Sequence, residues 1–101
     1  MKVLFLYKTA EIEGEFWWDE ENDVLDGYFL HPMTGNHCQE IEQCFYGWSE
    51  QNQEYQKDWD ALVDRYYNSG LDWSEWVDNE NDRVLVVDFE KNEIYYKKEE
   101  G

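Results

Sequence analysis

The stretch EIEGEFWWDEENDVLD, residues 11–26, is the feature that most limits what this chain can become. Eight of its sixteen side chains are carboxylates (Glu11, Glu13, Glu15, Asp19, Glu20, Glu21, Asp23 and Asp26), and none is Lys or Arg. Like charges at this density repel, so the stretch costs folding energy unless something else compensates. Glu11, Glu13 and Glu15 alternate with Ile12, Gly14 and Phe16. That is the period of a strand with one buried face, and it sends all three carboxylates to the same side. Alternate residues on a strand lie about 6.6–6.8 Å apart, a spacing close to that of successive phosphates on a nucleic-acid strand.

The asymmetry extends beyond this segment. The 101 residues carry 25 acids against 8 bases, a net charge of −17. Between Lys8 and Lys57 no base appears, and between Arg65 and Arg83 the acids Asp72, Glu75, Asp78, Glu80 and Asp82 stand without one. Such a surface repels nucleic acid and anionic membranes and attracts basic proteins. The chain is nonetheless expected to fold. Disordered acidic tails have few aromatics, whereas 19% of these residues are Phe, Trp or Tyr.

Hydrophobic periodicity predicts the elements. Lys2–Lys8, Glu11–Trp18 and Val24–Leu30 read as strands, with Asp19–Asp23 as the turn between the second and third. Pro32 and Gly35 break the sheet, and Asn36 with Gln39 forms a candidate helix cap. Ile41, Cys44, Phe45 and Trp48 recur at helical spacing. Tyr55, Trp59, Leu62, Val63 and Tyr66 do so again, up to a stop at Asn68 and Gly70. Asp72 and Glu75 cap a short turn carrying Trp73 and Trp76. Arg83–Phe89 and Ile94–Lys98 make a terminal hairpin. The order predicts a small α+β single domain, residues 1–101, with an antiparallel sheet of four or five strands and two or three helices packed on one face.

Chemistry-bearing motifs are few. His31, His37, Cys38 and Cys44 are zinc-ligand types, but their spacing matches no usual zinc pattern. On one helix Cys38 and Cys44 would diverge by about 120°. Asp78–Asp82 places acids as a calcium loop does, yet Arg83 stands where that loop needs Gly and Phe89 where it needs Glu. No glycine-rich phosphate loop or nucleophile motif is present. The expectation is therefore no enzyme, no metal and no cofactor. Met1–Tyr7 is apolar but ends at Lys8, and no segment reaches membrane-spanning length. A cytoplasmic location, in a bacterial host cell, and reduced thiols are expected.

In charge and size over the whole chain, the sequence resembles the class of phage-encoded DNA mimics, including anti-restriction and anti-CRISPR proteins. The resemblance implies an inhibitor of a basic nucleic-acid-binding protein, a nuclease or a CRISPR or restriction effector, with no direct contact to nucleic acid or membrane. The residues expected to bind that partner are Glu11, Glu13, Glu15, Asp19, Glu20, Glu21, Asp23 and Asp26, with Trp18 as aromatic anchor. Two alternatives stand beside it. Asp58–Leu62 (DWDAL) is similar to the acidic helix of barstar-like inhibitors, which implies an immunity protein against a basic toxin. An acidic adaptor or structural subunit is the third class. Exposed Trp or a terminal edge strand offers a route to a homodimer, against the net charge.

Overall fold

The computed structural model describes residues 1–8, 10–45, 59–79 and 82–98. Six strands form a single sheet: β1 (Lys2–Tyr7), β2 (Ala10–Asp19), β3 (Val24–Leu30), β4 (His37–Cys38), β5 (Arg83–Asp88) and β6 (Glu93–Lys98), in the order β4-β3-β2-β1-β5-β6. The helical pieces are α1 (residues 41–45), α2 (Trp59–Tyr67) and α3 (Trp73–Trp76). The expected helical positions Trp48 and Tyr55 lie outside the described residues.

The α+β class and the one-sided helical layer match the sequence reading; the sheet does not match it fully. It has six strands rather than four or five, and it is mixed, because β1 pairs with β5 in parallel. The chain leaves the β4 edge, passes through the helices and re-enters beside β1. Nothing in an apolar run such as Val84–Val87 says which neighbour it will take, since a strand buried on both faces loses its alternation. The cap at Asn36 is also displaced. Asn36 is spent in the β3–β4 connection, where its carbonyl accepts from His31 N–H. The side chain of Gln43 accepts the backbone N–H of Gln39 and Glu40 instead, at 2.9 and 3.4 Å, the return bond of a capping box four residues further on. Asp72 does cap α3, accepting from Ser74 N–H at 3.1 Å, and Gly70 follows α2 at φ +70°.

Two hairpins repeat one turn design. Asp19 pairs with Val24 and Asp88 with Glu93 across four-residue loops. In each, the aspartate accepts backbone N–H groups of the loop, Glu21 and Asn22 in the first and Glu90 and Lys91 in the second. A residue with positive φ, Asp23 or Asn92, then re-enters the strand. Asp and Asn tolerate that conformation better than most side chains, which is why they occupy these positions.

The core lies between the sheet and the helices. Phe5, on the central strand β1, contacts the rings of Phe16, Phe29, Tyr66, Trp73 and Phe89 at centroid distances of 5.5–6.2 Å. Ile41, Cys44 and Phe45 of α1 and Leu62 of α2 close the same cluster. Phe16 fills the space left by two glycines. A Cβ on Gly14 would stand 2.5 Å from its ring, and one on Gly27, at φ +153°, would meet Glu15 O at 2.4 Å and the Phe16 ring at 2.5 Å. Phe5→Ala should cost about 3–5 kcal/mol in urea denaturation. Gly27→Ala should cost about 3 kcal/mol or more, combining overpacking with backbone strain. Gly35→Ala, at φ +73° with open space around it, should cost only about 1–2 kcal/mol.

Candidate functional site

Strand β2 is buried on alternate positions, and the parity decides what faces outward. Ala10, Ile12, Gly14 and Phe16 turn toward the helices, while Glu11, Glu13, Glu15 and Trp17 turn away. Register then assembles the neighbours: Glu13 lies beside Leu30, Glu15 beside Tyr28 and Trp17 beside Asp26, and Leu30 in turn beside His37. Among the described residues no helix covers this face, since α1, α2 and α3 all pack into the inward cluster.

The outward face is more than a row of charges. Trp17, 37% exposed, meets the Tyr28 ring edge-on at 6.4 Å. Tyr28 in turn stacks on His37, with centroids 3.9 Å apart and planes at 12°. An aromatic ladder thus crosses β2, β3 and β4 between Glu13, Glu15 and Asp26. Aromatic faces beside carboxylates suit a guanidinium, which can stack on one and bond in a fork to the other. Glu11 and Glu13 also line a shallow depression of about 300 Å³ with Leu30, His31, Pro32 and Gly35.

The fold itself answers part of the charge. Lys2 Nζ lies 3.4 Å from Glu13, and the N-terminal ammonium of Met1 lies 3.1 Å from Glu15. The first pair is exposed and worth little. The second is stiffer, because the ammonium is buried and also donates to Phe16 O at 2.7 Å. Glu15 therefore has a structural duty, while Glu11 has no cation among the described residues.

The expected site residues fall into two groups. Glu11, Glu13, Glu15 and Asp26 share the outward face. Trp18, Asp19, Glu20, Glu21 and Asp23 gather at the β2–β3 hairpin tip, and Trp18 belongs to the opposite parity, on the helical side. The aromatic beside the glutamate row is Trp17, not Trp18. Odd numbering shared by Glu11, Glu13, Glu15 and Trp17 carried that signal. Tyr28 and His37 also belong to the face, but only strand register brings them there. Trp73 is half-buried and packs against the core, stacked on Phe16 at 5.9 Å.

Asp19 serves the turn as well as the surface. Hydrogen bonds from the Asn22 side chain, then from the backbone N–H of Asn22 and Glu21, hold its carboxyl below the usual value. Tyr67 links two elements by donating to Glu40 and Glu42 at 3.0 and 3.3 Å; the bond to Glu40 leads in raising its phenol to about 12. Cys38 and Cys44 are buried free thiols, and burial, with Cys38 as the second influence, pushes Cys44 up to about 12. No cluster of three metal-binding side chains occurs among the described residues, and none of their helices is long and apolar enough to cross a membrane.

No protein-family model, curated protein or solved structure matches the chain. The functional reading therefore rests on the chain's own geometry.

Thiol burial and the Tyr67 hydrogen bonds each have a measurable consequence. A disulfide reagent at pH 8 should titrate neither thiol of the native protein and both after denaturation. The Tyr67 phenol, raised when folded, stabilises the fold fully below pH 10, and that contribution is lost as pH rises through about 12. Tyr67→Phe should remove this alkaline-limb contribution in pH-dependent melting.

Proposed function

We propose that this chain is a non-enzymatic inhibitor that binds the basic nucleic-acid-binding surface of a target protein in place of DNA or RNA. The observation that carries the reading is the parity of β2. It presents Glu11, Glu13 and Glu15 at alternate-residue spacing beside an exposed aromatic ladder, on a sheet face that no described helix covers. Coulomb steering toward a Lys- and Arg-lined groove sets the association rate. Stacking on Trp17 and Tyr28, with bonds from carboxylate to guanidinium, sets the dissociation rate. A nuclease or a CRISPR or restriction effector fits this description, which is the phage anti-defence role.

The second reading, an immunity protein against a basic toxin, draws on α2. There Asp60 is exposed while Leu62 is buried and Trp59 packs against the core, so the helix shows acid outward from a fixed base. Both readings demand a basic partner and differ in the surface used.

The experiment is a capture from nuclease-treated bacterial lysate with the wild-type chain, a Glu11→Lys/Glu13→Lys variant and an Asp60→Lys variant. These positions avoid Glu15, which holds the N-terminal ammonium. Wild type should retain a nucleic-acid-binding protein at about 0.1 M salt and release it at about 1 M, as screening shortens from roughly 10 to 3 Å. The sheet-face variant should bind it about 100-fold more weakly, with an unchanged far-UV spectrum. Loss with Asp60→Lys alone would move the site to α2. Equal capture by all three would remove charge from the account.

A further inference from the structure

The hairpin tip carries a second surface that the sheet face does not use. Trp18, Val24, Leu25, Leu71 and Trp73 line a shallow apolar groove of about 650 Å³ beside Gly70, Asp72 and Ser74. Its inner wall is set by the core, because Trp73 is held by Phe5, Phe16 and Tyr66. The loop carrying Leu71 is placed between α2 and the Asp72 cap. The end of β2 is tied down as well, by Trp18 N–H donating to Asn79 Oδ1 at 3.3 Å. The groove is thus preformed, and its occupant need not pay for its ordering. Val24, 49% exposed, stands at its mouth.

The lip of this groove has one sign. The turn that joins Trp18 to Val24 is Asp19–Asp23, and Asp72 stands on the other side. Asp19 and Asp72 are engaged in their own turn and cap. The side chains of Glu20, Glu21 and Asp23 are exposed and make no hydrogen bond or ion pair with a described residue. Among the described residues no Lys or Arg lines the groove. An apolar floor inside an uncompensated acidic lip suits an apolar side chain presented between cations. It disfavours a second copy of this chain, which would set acidic lip against acidic lip at a net charge of −17 each.

We infer that the groove between the β2–β3 hairpin tip and the Leu71–Trp73 segment is a docking site for a basic polypeptide segment that inserts an apolar side chain between flanking Lys or Arg residues. The inference rests on the proposed function for the sign of the partner's charge, and it adds a second contact point on the far side of the sheet. The glutamate face would then engage the partner's groove while the hairpin tip grips an adjoining basic segment. Two linked contacts of this kind raise affinity beyond either alone.

The test is a titration of isotope-labelled protein with a synthetic peptide of Lys and Leu, alongside a counterpart in which every Leu is Ser, followed by NMR at low salt. The expected result is movement of the Trp18 and Trp73 indole and the Leu25 and Leu71 methyl resonances, with Trp17 unmoved. Ser74→Lys, an exposed position on the helical lip of the groove, should weaken the peptide by about tenfold or more, and Glu11→Lys/Glu13→Lys by less than about threefold. Shifts centred on Trp17 and Tyr28 would overturn the groove and leave the sheet-face reading standing. Equal binding by the Ser peptide would overturn the apolar insertion. A concentration-dependent dimer whose shifts map to the groove would replace the basic segment by a second copy. Absence of any binding at low salt would overturn the groove, while the sheet-face reading stands or falls by the lysate capture.

Discussion

The position of one ring determines which way the acidic strand faces. Phe16 lies across Gly14 on its own strand and Gly27 on the next, and it packs into the same cluster as Phe5, Phe29 and Trp73. A slip of one residue in β2 would turn every side chain to the opposite face. It would turn Glu11, Glu13 and Glu15 into the apolar cluster on the helical side, where burying a carboxylate is costly. The glycine-filling aromatic therefore fixes register, and register fixes the chemistry of the outward face. Phe5 serves the complementary role from β1, joining sheet and helices through five aromatic contacts.

The charge distribution has a cost that the fold only partly offsets. Lys2 and the N-terminal ammonium answer Glu13 and Glu15, and local hydrogen bonds occupy Asp19, Asp26 and Asp72. These last acids would be useful in turns and caps of any protein. Glu11, Glu20 and Glu21 have no such local role, and they lie on the two surfaces that also expose aromatic or apolar area. The coincidence of unrelieved charge with exposed Trp17 on one side, and with the Trp18–Trp73 groove on the other, is what the proposed binding role rests on. A surface charged only for solubility has no need of rings among its acids.

Much of this was legible in the sequence, for identifiable reasons. Strands β1, β2, β3, β5 and β6 were visible in alternation or apolar runs bounded by turn residues, and α2 in a period with a clean stop at Asn68 and Gly70. β4 was not, because two residues carry no period. The parallel pairing of β1 with β5 was not, because long-range partner choice depends on how the helices pack the crossover. Glu11, Glu13 and Glu15 share one face, as their alternation predicts, and the same parity sets Trp17 beside them while Trp18 lies at the hairpin tip on the helical side. Tyr28 and His37 required strand register, which no local pattern supplies.

The central claim is that this chain occupies a surface built for nucleic acid. The direct measurement is competition on the captured basic partner, with a labelled oligonucleotide bound to that partner and the present protein added in increasing amount. The account predicts full displacement of the oligonucleotide as the protein reaches equimolar concentration, and no displacement by the Glu11→Lys/Glu13→Lys variant at the same concentration. A ternary complex, with oligonucleotide and protein bound together, would contradict it.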